Sequence, residues 1–167
     1  MEEGVSEKRE SGDRRGSMGG AAFLLAQVGA HAAKLFAERM SEIDLTPAHA
    51  GIFRILSTSP GLTQKELAEA LGTLPNRIVG MVDELEAKGL IERRVQEQDR
   101  RRHALHITEQ GQAKMKALGE TARRHQATLL AALSEEERAA LTATLQRVAE
   151  HQGLIPGVHP GYARRWK

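Results

Sequence analysis

The sequence predicts a mainly α-helical chain with a small β-hairpin, and three observations support this fold class. Two short helical patterns joined by a tight turn lie within residues 62–89. Two alternating strands follow at residues 90–95 and 103–107. Longer helical patterns flank this core at residues 21–40 and 109–152. This order is typical of a winged helix-turn-helix with further helices on both sides. The pattern at residues 21–40 has more apolar surface than one helix needs for its own core, which predicts that the N- and C-terminal helices form a dimerisation arm.

The two core helices carry clear start and stop signals. Thr63 and Glu66 form a T-x-x-E capping box, in which a hydroxyl and a carboxylate accept hydrogen bonds from backbone amides at the helix start. Gly72 suits the left-handed residue that ends this helix, and Pro75 suits the first turn of the next one. The pattern therefore predicts two helices that meet at a sharp turn.

The second core helix has an apolar and a polar face when it is wound at about 100° per residue. The apolar face holds Ile78, Met81, Val82 and Leu85, and the outer face holds Asn76, Arg77, Gly80, Asp83, Glu84 and Ala87. Phosphates would repel the two carboxylates in the second half of the outer face. Only the N-terminal half is therefore expected to enter a DNA major groove.

The segment that joins the two strands is rich in arginine. Between Glu92 and Arg102, five arginines stand against three acidic residues, which leaves a surplus of two positive charges. A solvated loop is the alternative to a DNA contact. Three successive arginines, from Arg100 to Arg102, would however repel one another without an anionic partner. A contact between this hairpin, the wing, and DNA is therefore favoured.

Four motifs occur in register within this core: LTQKELAEALG, VDELEAKGLIERR, DRR and LHITEQG. In this combination the sequence resembles the MarR family of bacterial transcription regulators, from about Leu45 to Gly111 by motif and over residues 21–152 by helix order. The resemblance implies a homodimeric DNA-binding regulator, expected to be a repressor released by a small-molecule effector. Two recognition helices would enter successive major grooves, so the operator is expected to be an inverted repeat of double-stranded DNA.

Nine residues are expected to contact DNA. An amide can pair with both edge atoms of adenine and a guanidinium with those of guanine, so Asn76 and Arg77 are candidates for base contact, with a solvated helix surface as the alternative. By the resemblance, the wing pattern D-x-R falls on Asp99, which braces the loop, and Arg101, which enters the minor groove. Thr63 and Gln64 are expected to contact the DNA backbone, and Arg100 and Arg102 its phosphates. Thr73 and Gly80 complete the set of predicted DNA contacts.

Two positions depart from the resembled family. Relatives commonly carry a polar or basic side chain where Gly80 stands, and often a serine that caps the recognition helix where Leu74 stands. Both departures reduce the number of polar groups on this helix. They leave open which bases are read and whether Thr73 caps the helix instead.

By the same resemblance, His31, His49 and Phe53 are expected to line an effector cavity between the dimerisation arm and the DNA-binding lobe. Surface or core histidines are the alternative. His103 and His106 are three residues apart in a strand, so they point to opposite faces and cannot chelate one metal ion together. No metal site and no cofactor is therefore expected.

Composition argues against several other classes of protein. Cysteine is absent, which excludes disulfides and thiol catalysis. The 24 Lys plus Arg nearly balance the 22 Asp plus Glu, so clustering rather than total charge indicates a polyanionic partner. No catalytic constellation stands at usable spacing, which argues against an enzyme. No stretch approaches the roughly 20 apolar residues of a membrane span and no export signal is apparent, so a cytoplasmic protein is expected.

The expected organisation is a disordered tail at residues 1–20, one domain at 21–152 and a second tail at 153–167. Within the domain, residues 45–108 form the DNA-binding lobe, and the segments on either side of it form the dimerisation helices. A winged-helix module that binds another protein and no DNA is the alternative function. The arginine-rich wing tells against that alternative.

Overall fold

A computed structural model of the chain describes residues 19–95 and 102–158. These residues form six helices and one two-stranded sheet. The helices are α1 (Ala21–Glu42), α2 (Pro47–Thr58), α3 (Gln64–Ala70), α4 (Pro75–Ala87), α5 (Glu109–Leu129) and α6 (Glu135–His151), and the strands are β1 (Ile91–Val95) and β2 (His103–Ile107). The predicted fold class, mainly α with one hairpin, is confirmed. None of these described helices is long and apolar enough to cross a membrane.

The chain divides into two compact units, residues 1–34 and residues 35–167. The described part of the first unit is the N-terminal part of α1. Four apolar side chains there are each roughly half exposed: Phe23, Leu24, Leu25 and Val28. In the second unit, Leu145 and Val148 of α6 are also exposed. Each unit therefore exposes apolar helix surface to solvent.

Hydroxyl side chains cap four of the described helices, and one of these caps is the predicted one at Thr63. These caps are Thr46, Thr63, Thr108 and Ser134, and each accepts a hydrogen bond from the backbone N–H three residues later. Glu66 completes the predicted capping box of α3, and Glu137 completes a second one at the start of α6. In α2 a histidine, His49, completes a third. Each cap satisfies an N–H group that has no acceptor within its own helix.

The core of the second unit lies where α2, α3, α4 and the hairpin meet. Its fully buried side chains include Ile52, Phe53, Leu56, Leu67, Leu71, Leu90, Ile91 and Leu105. The predicted inner face of α4 is confirmed, because Ile78, Val82 and Leu85 are fully buried and Met81 packs against the same core. Full burial of one such aliphatic side chain contributes about 1.5–3 kcal/mol. α4, which is the predicted recognition helix, is therefore held in place by its inner face.

The wing is an antiparallel hairpin whose base is anchored to the rest of the lobe. Ile91 of β1 lies opposite Ile107 of β2. The connector before α3 pairs with β2 as well: the N–H of Gly61 donates to the carbonyl of Leu105 at 3.0 Å, and the N–H of Leu105 donates to the carbonyl of Leu62 at 2.8 Å. These bonds occupy backbone groups of β2 that face away from β1, so the base of the wing is held from both sides.

The segment after α6 contacts the predicted DNA-binding lobe of the same chain. The helix ends at His151, one residue before the predicted end of the helical pattern. Val158 is partly buried against the core, and the Cδ1 atom of Ile155 lies so close to Gly72 that a Cβ atom added there would be 2.8 Å away. The first residues of the expected C-terminal tail are therefore packed, whereas residues 159–167 lie outside the described range.

Gly111 of α5 should be intolerant of any side chain. A Cβ atom added there would lie 2.1 Å from the carbonyl oxygen of Leu90 and 2.7 Å from Cγ2 of Ile107. A main-chain carbonyl cannot move aside without shifting the start of β1. Gly111→Ala should therefore lower the free energy of unfolding by about 1–3 kcal/mol, although alanine favours helices. Urea unfolding at a fixed protein concentration measures this change.

The matched control is Gly119→Ala in the same helix. A Cβ atom at Gly119 would meet the flexible side chain of Arg123 at an ordinary 3.5 Å. This substitution should be neutral or stabilise the protein by up to about 1 kcal/mol. Equal effects of the two substitutions would contradict the close contact described at Gly111.

Candidate nucleic-acid interface

The outer face of α4 carries three of the residues that are predicted to contact DNA. Asn76, Arg77 and Gly80 are all exposed, whereas Ile78 and Val82 of the same helix are fully buried. Because the buried face sets the rotation of the helix about its axis, the three positions point away from the core. Within five consecutive residues, the helix presents an amide, a guanidinium and an uncovered stretch of backbone.

The recognition helix begins without a side-chain cap. Leu74 is its N-cap residue and provides no capping hydrogen bond, and the first turn contains no acidic residue. Thr73 does not take over as the cap, because it precedes the N-cap position, and its own N–H donates to the carbonyl of Ala68 at 2.9 Å. No hydroxyl or carboxylate of this turn therefore offsets the positive end of the helix dipole, which favours an external anion such as a phosphate.

The acidic residues in the second half of α4 are paired with cations. Arg93 of β1 pairs with both Asp83 and Glu86, and the Nζ atom of Lys88 lies 3.1 Å from Oε1 of Glu84. These pairs reduce the negative charge that α4 presents to an approaching duplex. The expected repulsion between phosphates and this half of the helix is therefore weaker than the sequence alone indicates.

The bridge from Arg93 to α4 was missed by sequence reasoning, which counted this residue only in the surplus charge of the wing. The alternation of side chains between the two faces of β1 could have indicated this contact. Arg93 shares a strand face with the buried Ile91, so its side chain points to the side of the hairpin on which α4 packs. Arg94, on the other face, pairs with Glu92, with 2.8 Å between Nε and Oε1. Both arginines thus neutralise carboxylates of their own chain.

Glu66 connects the wing to the first turn of α3. Its Oε2 atom accepts hydrogen bonds from the backbone N–H and the hydroxyl of Thr63, both at 2.8 Å, and its Oε1 atom lies 2.7 Å from Nη2 of Arg102. The bonds from Thr63, followed by the Arg102 guanidinium, hold the pKa of Glu66 below its ordinary value. Arg102, predicted to bind phosphate, is therefore already paired with a carboxylate in the free chain.

Gln64 follows Thr63 at the start of α3. The Gln64 side chain is only partly exposed, and its Nε2 atom is buried without a hydrogen-bond partner among the described residues. The Thr63 hydroxyl is committed to the capping box. Thr63 thus holds the start of α3 in place, and the predicted contact of both residues with the DNA backbone stays a prediction.

Three predicted wing residues, Asp99, Arg100 and Arg101, lie outside the described residues. Each wing arginine that the structure does describe pairs with a carboxylate of the same chain. The positive charge that the sequence assigns to a DNA contact is therefore expected to come mainly from Arg100 and Arg101. Their roles remain predictions from the family resemblance.

The residues predicted to line an effector cavity have different environments. His31 is exposed in the first unit, whereas His49 and Phe53 are buried in the second unit, with 1% and 0% of their surface exposed. Phe53 belongs to the hydrophobic core. His49 uses both ring nitrogens: Nδ1 accepts from the N–H of Thr46 at 3.3 Å, and Nε2 lies 3.4 Å from Oε2 of Glu84. His49 is thus a core histidine that joins the start of α2 to the recognition helix.

Comparison with known proteins shows that this chain is similar to transcription regulators. The model of the MarR family matches residues 43–102. A protein from Thauera aromatica, described as a transcriptional regulatory protein for the hcr operon, is 34% identical over 112 residues, which cover 67% of this chain and 68% of that protein. The match therefore extends beyond the helix-turn-helix into the flanking segments.

Solved structures share the fold. The transcriptional repressor CouR, bound to a 23-mer DNA duplex, is 32% identical with a TM-score of 0.68, over 77% of this chain and 92% of that chain. The PcaV transcriptional regulator from Streptomyces coelicolor, in complex with its natural ligand, is 26% identical with a TM-score of 0.63, over 79% and 93% of the two chains. The helical fold with one hairpin is thus shared with regulators solved with DNA and with a ligand.

His49 should make stability depend on pH. Burial, partly opposed by Glu84, holds the pKa of His49 below its ordinary value of 6.5. The unfolded chain therefore binds this proton first as pH falls, so stability is fully present above about 6.5 and declines below it. Protonation would also place a hydrogen on Nδ1, which must accept from Thr46. Urea unfolding midpoints at pH values from 7 to 5 measure the decline.

The variant that isolates this effect is His49→Gln, because glutamine can complete a capping box but does not titrate. Its unfolding midpoint should change less between pH 7 and 5 than that of the unsubstituted protein. His125, whose pKa is also lowered by burial and by Arg39, titrates in both proteins and cancels in the comparison. Identical pH profiles would exclude His49 as the source of the decline.

Proposed function

The chain belongs to the MarR family of transcriptional regulators, and from this premise we propose that it acts as a homodimeric repressor that binds an inverted-repeat DNA operator and is released by a small-molecule effector. The observation that carries the proposal is the exposed, uncapped N-terminal half of α4. It offers Asn76 and Arg77 to base edges, next to a helix end that favours phosphate.

The dimer is supported by apolar surface on the helices outside the lobe. Four side chains of α1 are exposed, Phe23, Leu24, Leu25 and Val28, and so are two of α6, Leu145 and Val148. Several exposed apolar side chains on one helix are typical of a surface that binds another protein. A two-fold dimer would place its two recognition helices in successive major grooves, roughly 34–36 Å apart, which requires an operator with inverted half-sites. As a DNA-binding regulator, the dimer is expected to act in the cytoplasm.

Repression is supported by the similar structure of CouR, a repressor held on a DNA duplex. Release by an effector is supported by the similar structure of PcaV with its natural ligand. If ligand and DNA favour different conformations of the dimer, each weakens the binding of the other by the same factor. A mobility shift on DNA from upstream of the protein's own coding sequence, repeated with a panel of aromatic acids and antibiotics, tests both parts of this proposal.

A winged-helix module that binds only other proteins is less well supported. The relatives are transcriptional regulators, and a structure at 32% identity holds DNA. A family of transcriptional regulators is also not a class of enzymes, and we assign the chain no catalytic role. If the protein does not prefer its own upstream DNA over arbitrary fragments at moderate salt, the protein-binding module becomes the better supported function.

Asn76 and Arg101 are proposed to contribute differently to DNA binding. Asn76→Ala should weaken binding to the cognate operator by about 5- to 150-fold and affect random DNA much less, because a base contact carries specificity. Arg101→Ala should weaken binding to every sequence and reduce the slope of log K against log salt concentration by about one, because a cation in the minor groove lies close to the phosphates and its binding releases a counterion. Fluorescence anisotropy at several salt concentrations measures both effects.

The matched control for the amide is Gln112→Ala, because Gln112 is an exposed side chain of α5, outside both α4 and the hairpin. This substitution should leave affinity and salt dependence unchanged. Equal losses on operator and random DNA for Asn76→Ala would contradict its assignment to base contact.

A further inference from the structure

Gly80 lies in the middle of α4, where neither a packing contact with the described residues nor the backbone conformation requires a glycine. A Cβ atom added there would meet no heavy atom of the described residues within 4 Å beyond its own helix backbone. The residue is exposed and lies within the helix rather than at an end. Its backbone is not among those with positive φ, so the conformation suits any L-amino acid. Neither packing nor backbone geometry therefore requires glycine at this position.

Glycine in this place opposes folding. In an exposed helix interior, glycine is less favourable than alanine because it loses more conformational freedom on folding. Glycine is used where another molecule or backbone must come close, since it is the residue that leaves the main chain uncovered. An external surface that approaches α4 at Gly80 would account for a residue that the free protein does not need.

Val79 lies beside the uncovered backbone of Gly80. It is apolar but exposed, with 40% of its surface accessible. A single exposed valine is ordinary on a protein surface. Here it follows the buried Ile78 and lies next to Gly80, which is one helical turn beyond Asn76 on the outer face. The exposed surface of this half of α4 therefore carries, in order, an amide, a guanidinium, a branched apolar side chain and uncovered backbone.

We propose that Gly80 allows the backbone of α4 to approach the floor of the major groove closely, and that Val79 there contacts the C5-methyl group of a thymine. The inference rests on the proposed DNA-binding function. Among the four bases of DNA, only thymine presents a methyl group in the major groove, and apolar side chains recognise it by contact. Asn76 and Val79 are separated by roughly 4.5 Å along the helix axis, so the thymine should lie within about one or two base pairs of the pair read by Asn76.

The test begins with a duplex that the unsubstituted protein selects from a random DNA library. Each thymine of the selected half-site is then replaced by deoxyuridine, which removes the methyl group and keeps every hydrogen-bonding atom. At one thymine, this replacement should weaken binding by about fourfold per half-site, the effect expected for one buried methyl group. Val79→Ala should weaken binding to the thymine duplex and become insensitive to deoxyuridine at that same position, as a double-mutant cycle requires.

Gly80→Ala tests the close approach. This variant should be more stable in urea, because alanine favours the helix, yet bind the selected duplex at least about tenfold more weakly. Gly119→Ala in α5, where an added Cβ atom has ordinary contacts, should leave DNA affinity unchanged. A gain in stability together with a loss in affinity separates a functional glycine from a structural one.

The outcomes distinguish this inference from the function on which it rests. If the protein selects a sequence, but Gly80→Ala binds it with unchanged affinity, the close approach is wrong. If the unsubstituted protein and Val79→Ala respond equally to deoxyuridine at every position, the thymine contact is wrong. In both cases the DNA-binding regulator stands. If the unsubstituted protein selects no sequence at all, the proposed function fails and this inference fails with it.

Discussion

The packing of α4 against the core is the contact on which the whole interface depends. Ile78, Val82 and Leu85 are fully buried, so the helix cannot turn about its axis without exposing apolar surface. Burial of each such side chain contributes about 1.5–3 kcal/mol, which makes that rotation unfavourable. Asn76 and Gly80 therefore point outward in the folded chain before any partner arrives. A surface ordered in advance loses less conformational entropy on binding.

Ion pairs connect the wing to α4 and to α3. Arg93 joins β1 to the carboxylates of α4, and Arg102 joins the start of β2 to Glu66 at the first turn of α3. Partly exposed ion pairs each contribute little, but these two act across different elements and orient the hairpin relative to both helices. The pairs that Arg93 makes also reduce repulsion between α4 and phosphates. Charges that hold the fold together thus also adapt its surface to a polyanion.

Much of the fold could be predicted because its signals are local. The Thr63 capping box, the turn at Gly72 and the start at Pro75 each depend on a few neighbouring residues. The ion pair between Arg102 and Glu66 joins residues 36 positions apart, so it depends on how the hairpin folds onto the helices. Local patterns carry no information on such pairs. Within the candidate site, the outward direction of α4 was predictable, and so was the face of β1 on which Arg93 lies, whereas the pairing of Arg102 with Glu66 was not.

The two departures at Leu74 and Gly80 acquire a common physical meaning in the structure. Leu74 provides no capping hydroxyl, and Gly80 provides no side chain at all, so the polar groups on this part of α4 are reduced to Asn76 and Arg77. Amides and guanidinium groups distinguish purines by hydrogen bonds, but they do not detect the methyl group of thymine. An uncovered backbone beside an exposed valine complements that methyl group. Fewer polar groups on this helix therefore need not mean less discrimination, because shape and apolar contact can replace hydrogen bonds.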